Sequence, residues 1–458
     1  MLPGCVGIAS WYVFCALFDW RQVALIPHLS IVALERVDQV IGLQQHALEA
    51  LRVCASGPMD DVMAPFDDVL AGGTKYDFVT WARRMLNETV DKLGDTEWLV
   101  HQLLRYVMLD HPSPLVRPLL LDGELTEEDC RRTGVFTGLR PTPALVVDVL
   151  LMGNDVDVLE IRLNELDEVV DLFIVIEMAW THKGIRKPLV FRDMMAKTNR
   201  VKAFRKKIVS IVVDHLPQEL QEAGTKKDVF AFELAQAHAG EAKVSCMLGE
   251  MLKKNILANG STMMIYGHTD EVPDPKNVRL LRRCTPATLP INNAVWMPMG
   301  LMNRAFHTDF PVSGSNYTLE YTLAFPVFHS AFRLHEIVER NLRGGHNLSA
   351  PYLLGGWHLT NYAYPPFRLL KNICGAEYIG SMARDDAIQL GDNISFWISS
   401  MRDPPDWVAR CVSVSELMQH EPYTSRPHVL EPPRTMQASR DRYEMWFGRI
   451  DRRIYMPV

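Results

Sequence analysis

The chain has 458 residues, of which 48% are hydrophobic and 22% are charged. This balance is typical of a folded globular protein and excludes a disordered or collagen-like chain. The length allows two or three domains, at about 100–200 residues per domain. The formal net charge of −7 leaves no basic excess, so the composition argues against a nucleic-acid partner.

The N-terminal segment 2–18 is apolar and close to the lower length limit for a membrane span, which is about 17–25 residues. It lacks the positively charged stretch that precedes a signal peptide or anchor. A signal or single-pass membrane anchor and a packed N-terminal helix are both open interpretations. Five glycosylation sequons favour a secretory route, at Asn87, Asn259, Asn316, Asn347 and Asn393.

The eight cysteines are sparse, and none forms a CxxC pair, so the sequence indicates neither a zinc site nor a thioredoxin-like site. One or two disulfides and buried reduced thiols remain equal alternatives, because free cysteine packs as a small hydrophobic residue.

Residues 1–140 are predicted to form a helical N-terminal accessory region. Segments 41–51 and 98–107 carry apolar residues at helical spacing. Glycine and proline pairs between these segments mark loops. We find no chemical motif in this region.

From residue 141 the pattern changes to strands alternating with helices. Four apolar runs predict buried strands, at 144–152, 169–177, 207–213 and 262–266, and helices are predicted at 156–166 and 242–258. Continuous apolar strands separated by helices indicate an α/β fold with a mostly parallel sheet covered on both faces. We assign residues 141–410 to this domain, with a more irregular half after 285, and 411–458 to a C-terminal extension.

Polar residues follow three of the predicted strands, at Glu177, at Asp214-His215 and at 267–273. Ligands of open α/β sheets bind beyond the carboxyl ends of the strands. The last segment gathers His268, Asp270 and Glu271 in one loop. Carboxylate oxygens suit Mg²⁺ and Mn²⁺, and imidazole also binds Mn²⁺. The loop is either a cation site or a solvated acidic turn.

Four segments, in order, resemble glycosyltransferase family 17. Residues 154–166 are similar to the family's N-E-L-D-L-L-E-I-R-L-N-E-L, and 171–191 to a strand ending in V-E-S followed by T-x-x-G-K-x-K-P-L-x-F. Residues 250–273 resemble E-x-x-Q-R-N and D-x-D-E-I-P, and 356–358 is the family's G-W-H. The resemblance covers residues 145 to about 380, with traces to about 410.

This resemblance implies a Golgi-type enzyme that moves N-acetylglucosamine from UDP-GlcNAc to a mannose-containing N-glycan of a glycoprotein. It also implies inversion at the anomeric carbon. The expected fold is GT-A-like, with a Rossmann-type nucleotide-binding half joined to an acceptor-binding half.

The resemblance further assigns roles to individual residues. Asp270 is expected to bind a divalent cation, Mn²⁺ or Mg²⁺, which neutralises the donor diphosphate, with His358 as a further metal ligand. Glu177 is expected to contact the uridine or ribose, and Lys254 a phosphate. Glu271 is a candidate catalytic base, as are Glu320 and Glu336. The structural alternatives are a core position for Trp357-His358, an exposed helix face for Lys253-Lys254 and a structural role for Glu160.

Two departures from the family pattern lead to other hypotheses. His268 stands where the first Asp of D-x-D is expected, and it supplies no fixed negative charge to the donor site. Lys253-Lys254 replaces Q-R, and lysine lacks the bidentate fork of arginine. The second hypothesis is therefore a non-catalytic glycan-binding or scaffold protein, and the third is a transferase for another donor sugar.

Overall fold

The computed structural model describes residues 42–54, 124–182, 184, 186–197, 199–215, 231–258, 261–288, 291–299, 301–306, 320–326, 351–359, 411–419, 423–425, 427–440 and 443–447. The apolar segment 2–18, the five sequon asparagines, the predicted helix at 98–107 and Glu336 lie outside these residues. Among the helices of the described ranges, none is both long and apolar enough to cross a bilayer.

The described helices are α1 (42–54), α2 (Glu127–Arg132), α3 (Val156–Leu166), α4 (Val190–Lys197), α5 (Ala231–Lys253), α6 (Pro275–Arg283), α7 (Val414–Leu417), α8 (Arg434–Ala438) and α9 (Glu444–Phe447). Two 3₁₀ helices span Lys202–Lys207 and Pro427–Leu430. The described strands are β1 (Phe136–Leu139), β2 (Leu145–Met152), β3 (Leu172–Met178), β4 (Ile208–Val213), β5 (Thr262–His268), β6 (Glu271–Pro273), β7 (Cys284–Pro286), β8 (Ile291–Trp296), β9 (Pro298–Met299), β10 (Leu301–Phe306), β11 (Glu320–Pro326), β12 (Tyr352–His358) and β13 (Cys411–Ser413).

The main sheet has eight strands in the order β4-β3-β2-β5-β11-β8-β12-β6. The first four are parallel, with Val149 of β2 opposite Ile174 of β3 and Tyr266 of β5. β11 runs antiparallel to β5 and β8, and β12 pairs parallel with β8 and antiparallel with β6. The predicted α/β class with a parallel four-strand segment is confirmed, although the complete sheet is mixed.

Helices cover both faces of the parallel strands because alternate side chains of each strand enter different cores. Val146 and Leu150 of β2 pack in one core with residues of α3, α4 and α6. Val147 and Val149 pack in the other core with residues of α1 and α5. A strand buried on both faces has no polar side to alternate with its apolar side, which explains the continuous apolar runs in the sequence.

Several predicted element boundaries hold, and others move. α3 spans Val156–Leu166, as predicted, whereas α5 begins at Ala231 rather than at 242. β5 continues through His268, two residues beyond the predicted end, because His268 still pairs with Leu151 of β2. β1 lies in a segment predicted to be helical, and it pairs with the distant β7.

Two disulfides join distant parts of the chain. Cys54 of α1 is bonded to Cys246 of α5, and Cys130 of α2 to Cys284 of β7. The first bridge fixes α1 to the helix that covers one sheet face. The second holds α2 and β1 against β7, with both cysteines fully buried. Of the two interpretations of the cysteines, disulfide bonding therefore applies to these four.

The C-terminal residues share a core with the second half of the sheet. Tyr423, Met436 and Trp446 pack with Val272 of β6 and Trp296 of β8. The N–H and hydroxyl of Thr435 both donate to Oε1 of Glu165 in α3, at 2.7 Å each. Side chains on both sides of the predicted boundaries at 140 and 410 thus pack together, and the division into domains stays a prediction.

Replacing Cys130 and Cys284 together by alanine should destabilise the fold by about 2–5 kcal/mol, because the bridge closes a long loop in the unfolded chain. Urea unfolding of protein made in an oxidising compartment measures this. Peptide mapping without reduction should recover the linked 130–284 and 54–246 peptides. Unlinked peptides, or an unchanged unfolding midpoint, would contradict the assignment.

Candidate active site

The acidic loop is the connection from the last residue of β5 to the first residue of β6, His268–Glu271. It lies at a topological switch point of the sheet. β3 and β4 extend from one side of β2, whereas β5 lies on the other side. The crevice between the carboxyl ends of β2 and β5 is therefore the place where open α/β sheets bind ligands. Thr269 occupies it, donating its N–H (3.0 Å) and hydroxyl (2.8 Å) to the carbonyl of Leu151.

Arg162 of α3 holds the two ends of the acidic loop. Its Nη1 donates to the carbonyl oxygens of His268 (2.7 Å) and Glu271 (2.6 Å). Nε and Nη2 donate to the two carboxylate oxygens of Asp148 in β2, at 2.8 and 2.7 Å. Both side chains of this ion pair are fully buried. The loop is thereby attached to a helix and to a central strand.

Asp270 and His358 are brought together by the pairing of β6 with β12, in which His358 lies opposite Glu271. Asp270 Oδ2 lies 3.5 Å from His358 Nε2. The Leu359 N–H donates to the Asp270 carbonyl at 2.7 Å, which fixes the backbone of the two segments to each other. The side chains are 10% and 15% exposed, so they border solvent while most of their surface is enclosed.

Gly355 and Gly356 allow β12 to approach β6 closely. Their φ angles are +138° and +114°, a region that residues with a side chain rarely adopt. A Cβ at Gly356 would lie 2.4 Å from the carbonyl oxygen of Val272. Trp357 then turns into the core, and its indole N–H donates to the carbonyl of Glu431 at 2.7 Å. The core interpretation therefore holds for Trp357, whereas His358 faces Asp270.

Glu271 lies within the same group of charges. Its Oε2 accepts the N–H of His268 at 2.8 Å, which closes the acidic loop on itself. Burial raises the pKa of Glu271, and the neighbouring Asp270 raises it further, while His268 and His358 oppose the shift. This carboxylate supports the loop directly. Glu271 is 8% exposed and Asp270 is 7% exposed, so both residues are largely enclosed.

Glu177 ends β3 on the same edge of the sheet, but its carboxylate is engaged inside the protein. It accepts the N–H groups of Phe191 and Arg192 in the first turn of α4, at 3.0 to 3.1 Å, and pairs with buried Lys187 at 3.4 Å. A carboxylate stabilises a helix N-terminus because it accepts from N–H groups that have no partner within the helix, and because its charge is favourable at the positive end of the helix dipole. A nucleotide contact by Glu177 stays a prediction and would compete with these bonds.

Lys254 lies far from the acidic loop. Gln236, near the start of α5, donates to the carbonyl of Met152 at the carboxyl edge of the sheet. Lys254 follows the other end of α5, about 27 Å away at 1.5 Å per helical residue. It is exposed, in agreement with the structural alternative. A diphosphate held at Asp270 would be out of reach of Lys254.

Glu160 and Arg162 take separate partners, as expected for residues two apart on a helix. Glu160 pairs with Arg200 at 3.2 Å, and Arg200 also binds Asp157. All three side chains are buried, so this cluster joins α3 to the segment after α4. The structural interpretation of Glu160 agrees with this placement.

A divalent cation fits the Asp270–His358 pair. Metal–ligand bonds of such ions are about 2.0–2.6 Å long, so one ion can contact both side chains across their 3.5 Å separation. Within the described ranges, no group of three or more His, Cys, Asp or Glu side chains is arranged to hold a metal. Asp270 and His358 would therefore supply only two of the ligands of such an ion.

Sequence reasoning missed the residues that hold the acidic loop in place. Asp148 is the single charged residue of the apolar strand β2, Arg162 is one of several charged residues of α3, and Thr269 lies between two of the assigned residues. A lone charge in a buried strand is a signal in itself, because it must find an opposite charge. The sequence does not say which charge that is.

Replacing Gly356 by alanine should destabilise the protein by about 1–3 kcal/mol, because a side chain would meet strained backbone and the Val272 carbonyl. Gly249→Ala is the matched control, since its Cβ would meet nothing within 4 Å in α5. That variant should be neutral or slightly stabilising. Urea unfolding compares the two, and equal effects would contradict the proposed tight approach of β12 to β6.

Comparison with known proteins agrees with the motifs. The model of glycosyltransferase family 17 matches residues 121–299. Beta-1,4-mannosyl-glycoprotein 4-beta-N-acetylglucosaminyltransferase of Homo sapiens is 33% identical over 78 residues, 17% of this chain and 14% of that protein. The enzyme of the same name from Mus musculus is 32% identical over 78 residues. The match thus spans about 14% of the length of these curated relatives. No solved structure matches the chain. The resemblance to glycosyltransferase family 17 is thereby confirmed for residues 121–299.

Proposed function

We propose that this protein is an inverting, metal-assisted hexosyltransferase that moves N-acetylglucosamine from UDP-GlcNAc to a mannose-containing N-glycan. The observation that carries the proposal is the 3.5 Å approach of Asp270, in the acidic loop at the carboxyl edge of the parallel strands, to His358 at the end of β12. The family match supports glycosyl transfer, and the names of the relatives suggest this donor and acceptor.

The fold supports a GT-A-like arrangement, in which one half binds the nucleotide and the other binds the acceptor. The nucleotide half is the parallel β4-β3-β2-β5 segment, and the acceptor half is built on β11, β8, β12 and β6. Asp270 comes from the first half and His358 from the second. A donor diphosphate at the acidic loop would lie at the boundary between them, with its sugar towards the acceptor half.

The donor chemistry explains the residue types. The diphosphate of the sugar nucleotide carries two negative charges and gains another as the bond to the sugar breaks, and a bound Mn²⁺ or Mg²⁺ would offset this charge as a Lewis acid. Asp270 and His358 would hold this ion, with phosphate oxygens and water as its other ligands, as is usual for Mg²⁺. His268 would contact the donor by hydrogen bonding only. Because histidine supplies no fixed negative charge, His268 would attract the cation more weakly than an Asp at this position.

Among the described residues, the candidate bases for the acceptor hydroxyl are Glu271 and Glu320. Inverting transfer needs a group within hydrogen-bond reach of that hydroxyl. Glu271 bonds to the amide of His268 and is nearly enclosed. Glu320 begins β11 in the acceptor half, and it is the alternative with a described backbone.

Two disulfides favour an oxidising compartment, since cytosolic proteins rarely keep such bonds. Together with the sequons, they support a route through the secretory pathway to the Golgi. A membrane anchor at 2–18 is part of the proposal as a sequence-based expectation.

A non-catalytic glycan-binding or scaffold protein is the second candidate, and the observation that favours it is His268 in place of a carboxylate. A transferase for another UDP-sugar is the third. A screen of UDP-sugars with and without Mn²⁺, read by product mass, separates the three. Transfer of N-acetylglucosamine supports the proposal, transfer of another sugar supports the third candidate, and glycan binding without turnover supports the second.

Asp270→Asn should abolish the thermal shift that UDP and Mn²⁺ together produce, and it should lower turnover by at least about 100-fold, since even outer-shell changes at metal sites cost 10–100-fold. Asp214→Asn is the matched control. Asp214 follows β4 at the same edge, three strands and about 14 Å from β5. It should behave as the wild type. An unchanged UDP and Mn²⁺ response in Asp270→Asn would refute the assignment.

His268→Asp should increase turnover and lower the Mn²⁺ concentration required for half-maximal rate, because it adds a negative charge beside the cation. Mn²⁺ titrations of the initial rate measure this. If neither wild-type nor variant protein turns over any UDP-sugar, the scaffold hypothesis is favoured instead.

A further inference from the structure

We infer that Arg162 is a positioning residue that holds the Asp270–His358 pair in its reactive arrangement. The inference rests on the proposed function for its kinetic consequence only. The hold of Arg162 on the acidic loop applies to any ligand that binds there.

The guanidinium of Arg162 performs two tasks at once. One edge forms a bidentate pair with Asp148 at 2.7 and 2.8 Å. The remaining nitrogen, Nη1, bridges two carbonyl oxygens that belong to opposite ends of the acidic loop, at 2.7 and 2.6 Å. A planar group with five N–H donors in a rigid fork can satisfy both sets of acceptors, whereas a lysine ammonium cannot.

This pair is a costly way to stabilise a fold. Transferring two charges from water to the interior costs several kcal/mol for each ion, and apolar residues of similar volume often stabilise a core equally well. An apolar pair would leave the carbonyls of His268 and Glu271 without a donor, and their dipoles would repel each other. The guanidinium of Arg162 provides an effect that an apolar side chain cannot, since it holds the two ends of the acidic loop together.

The position of Asp270 depends on those ends. Asp270 lies between the two carbonyls that Arg162 binds, and its own carbonyl accepts the N–H of Leu359 at 2.7 Å. Any opening of the loop would move the Asp270 carboxylate relative to His358, which β12 carries. A misplacement of 1 Å in a reacting site can lower the rate by about 100-fold.

Arg200, in the segment after α4, offers a matched control that also pairs with α3. It is also an arginine that is almost completely buried, and it pairs with two carboxylates of α3, Asp157 and Glu160. Arg200→Lys therefore also removes the fork of a buried arginine, but the pairs that it weakens join α3 to the segment after α4 and do not involve the acidic loop.

The test compares Arg162→Lys with Arg200→Lys by amide hydrogen exchange and by steady-state kinetics. Arg162→Lys should speed exchange of the N–H groups of His268, Thr269 and Leu359, and it should lower kcat about 100-fold with little change in the KM for the acceptor. Arg200→Lys should lose comparable stability in urea, keep wild-type exchange in the acidic loop and keep the wild-type kcat. Equal exchange and equal kcat in the two variants would overturn the inference.

The exchange measurement separates this inference from the proposed function. If the wild-type protein turns over no UDP-sugar, the proposed function fails, and selective exchange in Arg162→Lys still supports the role of Arg162 in the loop. If Arg162→Lys does not fold, Asp148→Asn replaces it. This variant keeps the shape of the side chain and weakens the bidentate pair that orients the Arg162 guanidinium. It should speed exchange in the acidic loop, and unchanged exchange there would overturn the inference.

Discussion

The ion pair between Arg162 and Asp148 is the interaction on which the candidate site depends. Asp148 lies in a strand that is buried on both faces, where an isolated carboxylate would be very unfavourable. Arg162 satisfies it from α3 and uses its remaining hydrogen-bonding capacity on the acidic loop. One buried cation thus links a central strand, a covering helix and the loop at the switch point. Arg162 and Asp148 can both be buried because each neutralises the charge of the other.

The two halves of the sheet meet at this loop. The parallel strands present Asp270, and the antiparallel pairing of β6 with β12 presents His358. The second half obtains its core partly from the C-terminal residues, through aromatic side chains such as Tyr423 and Trp446. The disulfides join the N-terminal helices α1 and α2 to the first half. Residues far from the site in sequence therefore support the candidate site.

Two carboxylates and two imidazoles lie together around the acidic loop. Asp270 and Glu271 lie beside His268 and His358, and burial raises the pKa of Glu271. A site with two fixed carboxylates would attract a divalent cation more strongly in the absence of donor. Under the proposed function, the charges of a nucleoside diphosphate would complete the cation site.

The sequence by itself determined the α/β class, the parallel strands and helix α3, because strands buried on both faces appear as continuous apolar runs and the apolar residues of α3 recur at helical spacing. It also located the loop that carries Asp270. Only the tertiary structure decided the partners of the charged residues. Glu177 caps α4, Arg162 finds Asp148, and Lys254 lies at the opposite edge from the acidic loop. The partner of a buried charge depends on strand order and register, which bring together residues distant in the chain, and no local pattern contains that information.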